Sequence, residues 1–189
     1  MLHLTPRLWV AQSRYFLTNS GIFLDDGQAV LIDPCMTPAE IGAIAAFLDD
    51  HAARPALIVL THSHWDHILG PEHFPGVPLL AHTRFPAAVA AHSAALLSEL
   101  AGWEKRAGIA RAAPFAIPLP AETVADETDR RVGGLTLRFL HVPGHAPDQL
   151  AVYEPESGTL WAADILSDVE IPFVSDNLAD YEHTLEKLA

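Results

Sequence analysis

Cysteine occurs once in the 189 residues, at Cys35, so no internal disulfide can staple the chain, and a reducing cytoplasm is the expected setting. Cationic side chains are also scarce: 11 Lys and Arg stand against 24 Asp and Glu, a formal net charge of −13. A surface this acidic repels phosphate backbones, which argues against a nucleic-acid partner. No apolar run approaches the roughly 20 residues of a membrane span. The opening stretch Met1-Leu2-His3-Leu4-Thr5-Pro6-Arg7 has no cationic region leading into an apolar one, so neither membrane association nor a signal peptide is expected. These absences leave a soluble, cytoplasmic single domain over residues 1–189, long enough to bury a substantial core.

Histidine, by contrast, is concentrated. Thr61-His62-Ser63-His64-Trp65-Asp66-His67-Ile68-Leu69-Gly70 follows the apolar run Ala56-Leu57-Ile58-Val59-Leu60 and puts four ligand-type side chains into six positions. In an extended segment positions 62, 64 and 66 point to one side. Asp66 and His67 are neighbours and share a side only if the chain turns, which suits a second metal beside the first. Imidazole and carboxylate without thiolate match zinc, iron or manganese in an open, catalytic style of site.

This T-H-x-H-x-D-H pattern followed by Gly resembles the signature of the metallo-β-lactamase superfamily. Pro143-Gly144-His145 resembles that family's P-G-H loop, and the resemblance implies that His145 joins His62 and His64 on the first metal. The strand-like run Gly158 to Asp164 resembles the element whose terminal carboxylate bridges two metals, which assigns that role to Asp164. Asp66 and His67 would hold the second ion, with Asp66 also orienting the nucleophile. Val30 to Asp33 resembles the strand whose terminal Asp lies near the site. Asp33 is read as a structural organiser, an acceptor for backbone amides in the turn before Pro34. The family pattern also asks for a final strand ending in His. Tyr181 to Ala189 reads as the preceding helix, and His183 inside it cannot replace that ligand, so the fold is expected to be C-terminally shortened.

The remaining sequence predicts its elements locally. Short strands are expected at 7–10, 14–18, 21–24 and 29–33, with a hairpin turn at Asp25-Asp26-Gly27-Gln28. Thr37-Pro38-Ala39-Glu40 is a capping box opening a helix that must end before Pro55. Strands follow at 56–60, 78–82, 135–142 and 151–153, with 126–131 a polar approach. Val89, Leu96, Leu97, Leu100 and Trp103 recur at helical spacing over 86–106. We read 85–113 as a helical insertion, either beside the active-site mouth, packed on the core, or in a homodimer contact. His73, His82 and His141 read as packing or surface histidines, and Cys35 as a buried thiol. With the family resemblance, this order implies an α+β, four-layer αββα sandwich of two mixed sheets with helices outside.

The function so implied is metal-dependent hydrolysis of a small ester, thioester, lactone or similar bond by a metal-bound hydroxide, with one or two Zn2+ ions and a small-molecule substrate as the expected partners. Trp65 within the motif is more similar to hydroxyacylglutathione hydrolases (glyoxalase II-like) than to tRNA-processing relatives. Two alternatives remain: a mononuclear iron persulfide dioxygenase, since two histidines and one carboxylate can form an oxygen-activating triad, and a truncated, non-catalytic metal-binding member.

Overall fold

The computed structural model describes residues 1–111, 113–167 and 173–189. Its larger sheet has the order β1 (Leu2–Thr5), β2 (Leu8–Gln12), β3 (Asn19–Asp25), β4 (Gln28–Ile32), β5 (Arg54–Val59), β6 (Leu79–His82), β7 (Glu122–Val124). The first four strands are antiparallel neighbours, and β4 to β7 are parallel. The smaller sheet, β8 (Thr128–Val132), β9 (Leu135–His141), β10 (Leu150–Glu154) and β11 (Thr159–Trp161), is antiparallel throughout. The expectation of two mixed sheets therefore holds for the first only.

The layers follow from alternation along the strands. Phe23, Val30, Ile32, Leu57 and Val59 face the second sheet, where they meet Leu135, Leu137, Phe139, Leu150 and Val152. Their neighbours Ile22, Leu31, Ile58 and Leu60 face outward onto α1 (Pro38–Asp50) and α2 (Phe85–Ala107). On the other outer face, Tyr181 and Leu188 of α3 (Leu178–Leu188) cover Leu140, Ala151 and Leu160. Helix, sheet, sheet, helix is the resulting order.

Local chemistry sets the boundaries. Thr37 accepts from the Glu40 amide while Glu40 reaches back to the Thr37 amide, and Pro38 occupies the first turn of α1. Ile41, Ile44 and Leu48 are its buried stripe. Gly108, with φ of 69°, ends α2 in the left-handed conformation that glycine adopts without strain. Leu97, expected on the buried face of α2, is 40% exposed, whereas Val89, Leu96, Leu100 and Trp103 are buried. Position 112, near the end of the expected insertion, lies outside the described residues. Among the described residues no helix is long and apolar enough to cross a membrane.

Three local expectations need correction. Residues 14–18 form a loop rather than a strand, with Phe16 and Leu17 both at φ of 55°. Glu40 is the cause: it binds the Ser13 hydroxyl and the Arg14 amide, pinning the loop to the start of α1. An unforeseen strand, β1, runs along the sheet edge, where His3 stacks on Trp9 at 4.2 Å. The polar stretch around 128–132 is itself strand β8, its charges facing out and Asp129 paired with Arg138 at 2.7 Å on β9.

His82 and His141 stack face to face, ring centroids 3.8 Å apart and 6° from parallel, where β6 and β9 end side by side. His82 Nε2 donates to the Ala125 carbonyl, and its Nδ1 accepts from the Arg84 amide at 3.2 Å. His141 Nε2 donates to the Pro147 carbonyl at 3.0 Å. Burial pushes His82 down to about 4, so the stack is a neutral packing pair.

Candidate metal centre

The motif begins where β5 runs out of its sheet. The Thr61 carbonyl accepts from the Leu150 amide of the second sheet at 2.8 Å, so the loop starts at the seam between the two sheets. His64 is extended, and Trp65–His67 then make a single 3-10 turn that swings His67 back towards His62. Gly70 closes the loop against Pro34: a Cβ there would lie 2.0 Å from the Pro34 carbonyl oxygen, so glycine is required.

His62 Nε2, His64 Nδ1 and His145 Nε2 converge, with His64 Nδ1 3.0 Å from each of the others. Hydrogen bonds on the far sides of the rings fix their protons. Thr61 Oγ1 gives its only proton to Asp33 Oδ2 at 2.5 Å, so its 3.0 Å contact with His62 must be donated by His62 Nδ1–H. His145 Nδ1 faces the Phe173 carbonyl, an obligate acceptor, so that nitrogen too carries the proton. Both Nε2 lone pairs consequently point inward. His67 Nδ1 donates to Asp33 Oδ2 at 2.9 Å, turning its Nε2 towards Asp164 Oδ2 at 3.4 Å and Asp66 Oδ2 at 3.6 Å. Asp164 Oδ2 also lies 3.5 Å from His145 Nε2, between the two histidine groups.

Two donor sets therefore exist among the described residues, each gathered within 4.8 Å: His62, His64 and His145, and His62, His67 and Asp164. Asp66 belongs to neither by that distance, although it borders His67. The donor chemistry fits divalent transition-metal ions, since His62 and His145 turn unprotonated Nε2 atoms inward and the Asp164 carboxylate stands between His67 and His145.

Electrostatics separate the two sets. Burial, followed by the neighbouring imidazoles, holds His62 well below its ordinary value and pushes His64 down to about 3. Burial alone would lower His67 as well, but Asp164, Asp66 and Asp33 outweigh it and hold His67 well above the usual range. Asp164 correspondingly sits well below the normal carboxylate range: burial opposes its charge, and His67 overrides that opposition. Burial raises Asp66.

Several supporting residues escaped the sequence reading. Asp33 is an organiser, but its partners are the Thr61 amide at 2.8 Å, the Thr61 hydroxyl and His67, not its own turn. Its φ of 43° was the missing signal, because sequence does not display a left-handed aspartate. Residues 173–177 strap the P-G-H loop: the Asp176 and Asn177 amides donate to the Gly144 carbonyl at 3.2 and 3.1 Å. α3 then locks it, with the Thr184 hydroxyl on the Pro143 carbonyl at 2.7 Å and the Tyr181 hydroxyl on the Ile165 carbonyl beside Asp164. Gly144, at φ of 129°, packs so closely on α3 that a Cβ would lie 2.4 Å from Tyr181 Cα. The Gln149 side-chain oxygen accepts from the Asp164 and Ile165 amides, at 3.2 Å each. Cys35 lies apart from both donor sets, buried against the Ser20 hydroxyl, and burial raises its thiol. His183 is exposed and faces Glu186 at 3.9 Å.

The family model described as the metallo-beta-lactamase superfamily matches residues 14–189. The chain belongs to the metallo-β-lactamase superfamily. It is 30% identical over 156 residues to a hydroxyacylglutathione hydrolase of Thermosynechococcus vestitus, covering 79% of this chain and 50% of that protein. It is 27% identical over 157 residues to the acyl-coenzyme A thioesterase MBLAC2 of Gallus gallus, covering 74% and 53%. The chain thus spans about half the length of these curated relatives. Its fold matches a metallo-beta-lactamase from Pontibacter korlensis with a TM-score of 0.73 at 19% identity, over 99% of this chain and 83% of that one. A second solved relative, in a di-iron-bound form, gives a TM-score of 0.69 at 22% identity over 95% of this chain and 85% of that one.

Proposed function

We propose that this superfamily member is a metal-dependent hydrolase of a small ester, thioester, lactone or similar bond. One observation carries the reading: two inward Nε2 lone pairs and His64 Nδ1 meet beside a carboxylate that also borders His67. His62, His64 and His145 would hold one ion, and His67, Asp66 and Asp164 a second, with Asp164 shared. When bound, divalent ions of this kind supply an acidified water and a Lewis acid for the scissile carbonyl. Zinc is the expected metal, with iron or manganese as alternatives.

The chain's own groups do the rest. Asp33 fixes the ring orientation of His67 directly and that of His62 through Thr61. Asp66 lines the cavities on both sides of the cluster, and with its proton affinity raised by burial it is placed to take a proton from attacking water and return it to a leaving group. Two relatives whose names record thioester hydrolysis support the reaction class.

The test is elemental analysis of the purified chain together with turnover of generic thioesters and lactones. His64→Ala should lose most of the metal and nearly all turnover while far-ultraviolet dichroism stays close to wild type. Retained activity in that variant would refute the assignment. The set His62, His67 and Asp164 favours a second reading, because two imidazoles and one carboxylate are also the donors of a mononuclear iron oxygenase. One iron per chain with oxygen uptake on a persulfide would move the case there.

A further inference from the structure

The donor sets lie where two cavities meet. One, of about 480 Å3, is walled by Phe16, Leu17, Trp161 and Phe173 on the His67 side. The other, of about 450 Å3, lies under α2 on the His64 side and is bordered by Trp65, His92, Glu99 and Asp176. His92 and Glu99 are seven positions apart on α2 and so share a helical face. Neither lining contains Lys or Arg among the described residues. Two guanidinium groups from neighbouring segments have partners of their own: Arg84 bonds the Pro147 carbonyl at 3.5 Å, and Arg14 stacks over Tyr15 at 5.0 Å.

We propose that the cavity under α2 selects substrates by charge, taking neutral or cationic leaving groups and rejecting anionic ones. The proposal rests on the hydrolase reading above. Coenzyme A carries phosphates and glutathione carries carboxylates, and an enzyme binding either one needs cationic partners for them. Here the walls offer Glu99 and Asp176 instead, on a chain whose net charge is −13. Any ions on the histidine cluster act at the junction, on the carbonyl oxygen. The substituent that extends along α2 meets the two carboxylates. Trp65 adds an aromatic face, a surface that attracts alkylammonium groups.

The experiment uses the metal-loaded chain and three esters of one short acyl group: a choline ester, its uncharged 3,3-dimethylbutyl isostere, and a 3-sulfopropyl ester. The expected order of kcat/KM is cationic, then neutral, then anionic, with about tenfold between the extremes, as two exposed charge contacts allow. Glu99→Lys combined with Asp176→Lys should invert that order. An anionic ester turned over as well as the neutral one by the wild-type chain overturns the proposal. If none of the three esters is turned over, and generic thioesters and lactones are not either, the hydrolase reading fails, and charge selection is then read without turnover. Quenching of Trp65 fluorescence, isolated by difference from Trp65→Phe and divided for each quencher by its quenching of free N-acetyltryptophanamide, should be stronger with caesium than with iodide. The reverse order sinks the proposal on its own.

Discussion

Asp33 shows how much one side chain can decide. Its two oxygens take three hydrogens, from the Thr61 amide, the Thr61 hydroxyl and His67 Nδ1. In Asp33→Asn one oxygen becomes a donor facing donors, at a cost of about 1–3 kcal/mol for the unmet group. Metal affinity should fall by roughly 10- to 100-fold, the usual penalty for losing an outer-shell partner. Denaturant titration and metal competition measure the two effects separately. The motif was plain in the sequence because its ligands are adjacent; Asp33 as its anchor was not, because 28 residues separate it from Thr61. Proton affinity makes a further prediction. His67 is held well above its ordinary value by three carboxylates while His62 and His64 stay neutral into acid. On mild acidification the proton should therefore displace the ion at His67 first and leave the three-histidine ion in place, which metal content measured at stepped pH will show. Asp148 provides a third. It is fully buried, one oxygen accepts from Ser63 at 3.2 Å, the other has no partner, and burial raises it to about 6. A raised carboxylate binds its proton more tightly in the folded chain, so stability is full below the ordinary 3.8, falls across the window from 3.8 to about 6, and stays low above it. Asp148→Asn should stabilise the chelated protein at pH 8 by up to ~3 kcal/mol and make no difference at pH 4. A urea titration at both values checks this.

Among the elements, the start of α1 was legible to the residue because its capping box, N-terminal proline and apolar stripe agree with one another. Thr37→Ala should cost about 1 kcal/mol, read as a lowered thermal midpoint. Residues 14–18 misled because Tyr15, Phe16 and Leu17 have the composition of a strand, while the bonds that bend them come from Glu40 on another element. Strand β8 was hidden for the opposite reason: an edge strand can be polar on its open face, and its partner β9 sets the register. The P-G-H loop was recognisable, but nothing local announces that α3 presses on it. Gly144→Ala must move that helix or the loop, since a Cβ would stand 2.4 Å from Tyr181 Cα in a conformation that L residues rarely adopt. We expect a cost of at least ~1–3 kcal/mol and weakened metal binding, because His145 is the next residue. A chelator-competition titration on the folded variant tests the second part.

At the scale of the molecule, the layered architecture followed from the alternation of apolar residues and from the family pattern, and the matched model over residues 14–189 agrees. The pairing of His82 with His141, and of 173–177 with the P-G-H loop, could not be read from the chain, because each joins segments that no local periodicity relates. The helical face of α2 was visible; its role as the wall of a cavity required the fold. The same long-range stitching has a consequence in time. The donors come from positions 62, 64, 67, 145 and 164, and the contacts that hold the last two come from 173–188. A refolding chain must close those long loops before the three imidazole nitrogens can meet, and such closures are slow. Capture of an ion should thus lag behind the formation of secondary structure, and stopped-flow refolding with a chromogenic chelator would resolve the interval. The centre then serves as a clock for completion: the ion registers only when the final helix has docked.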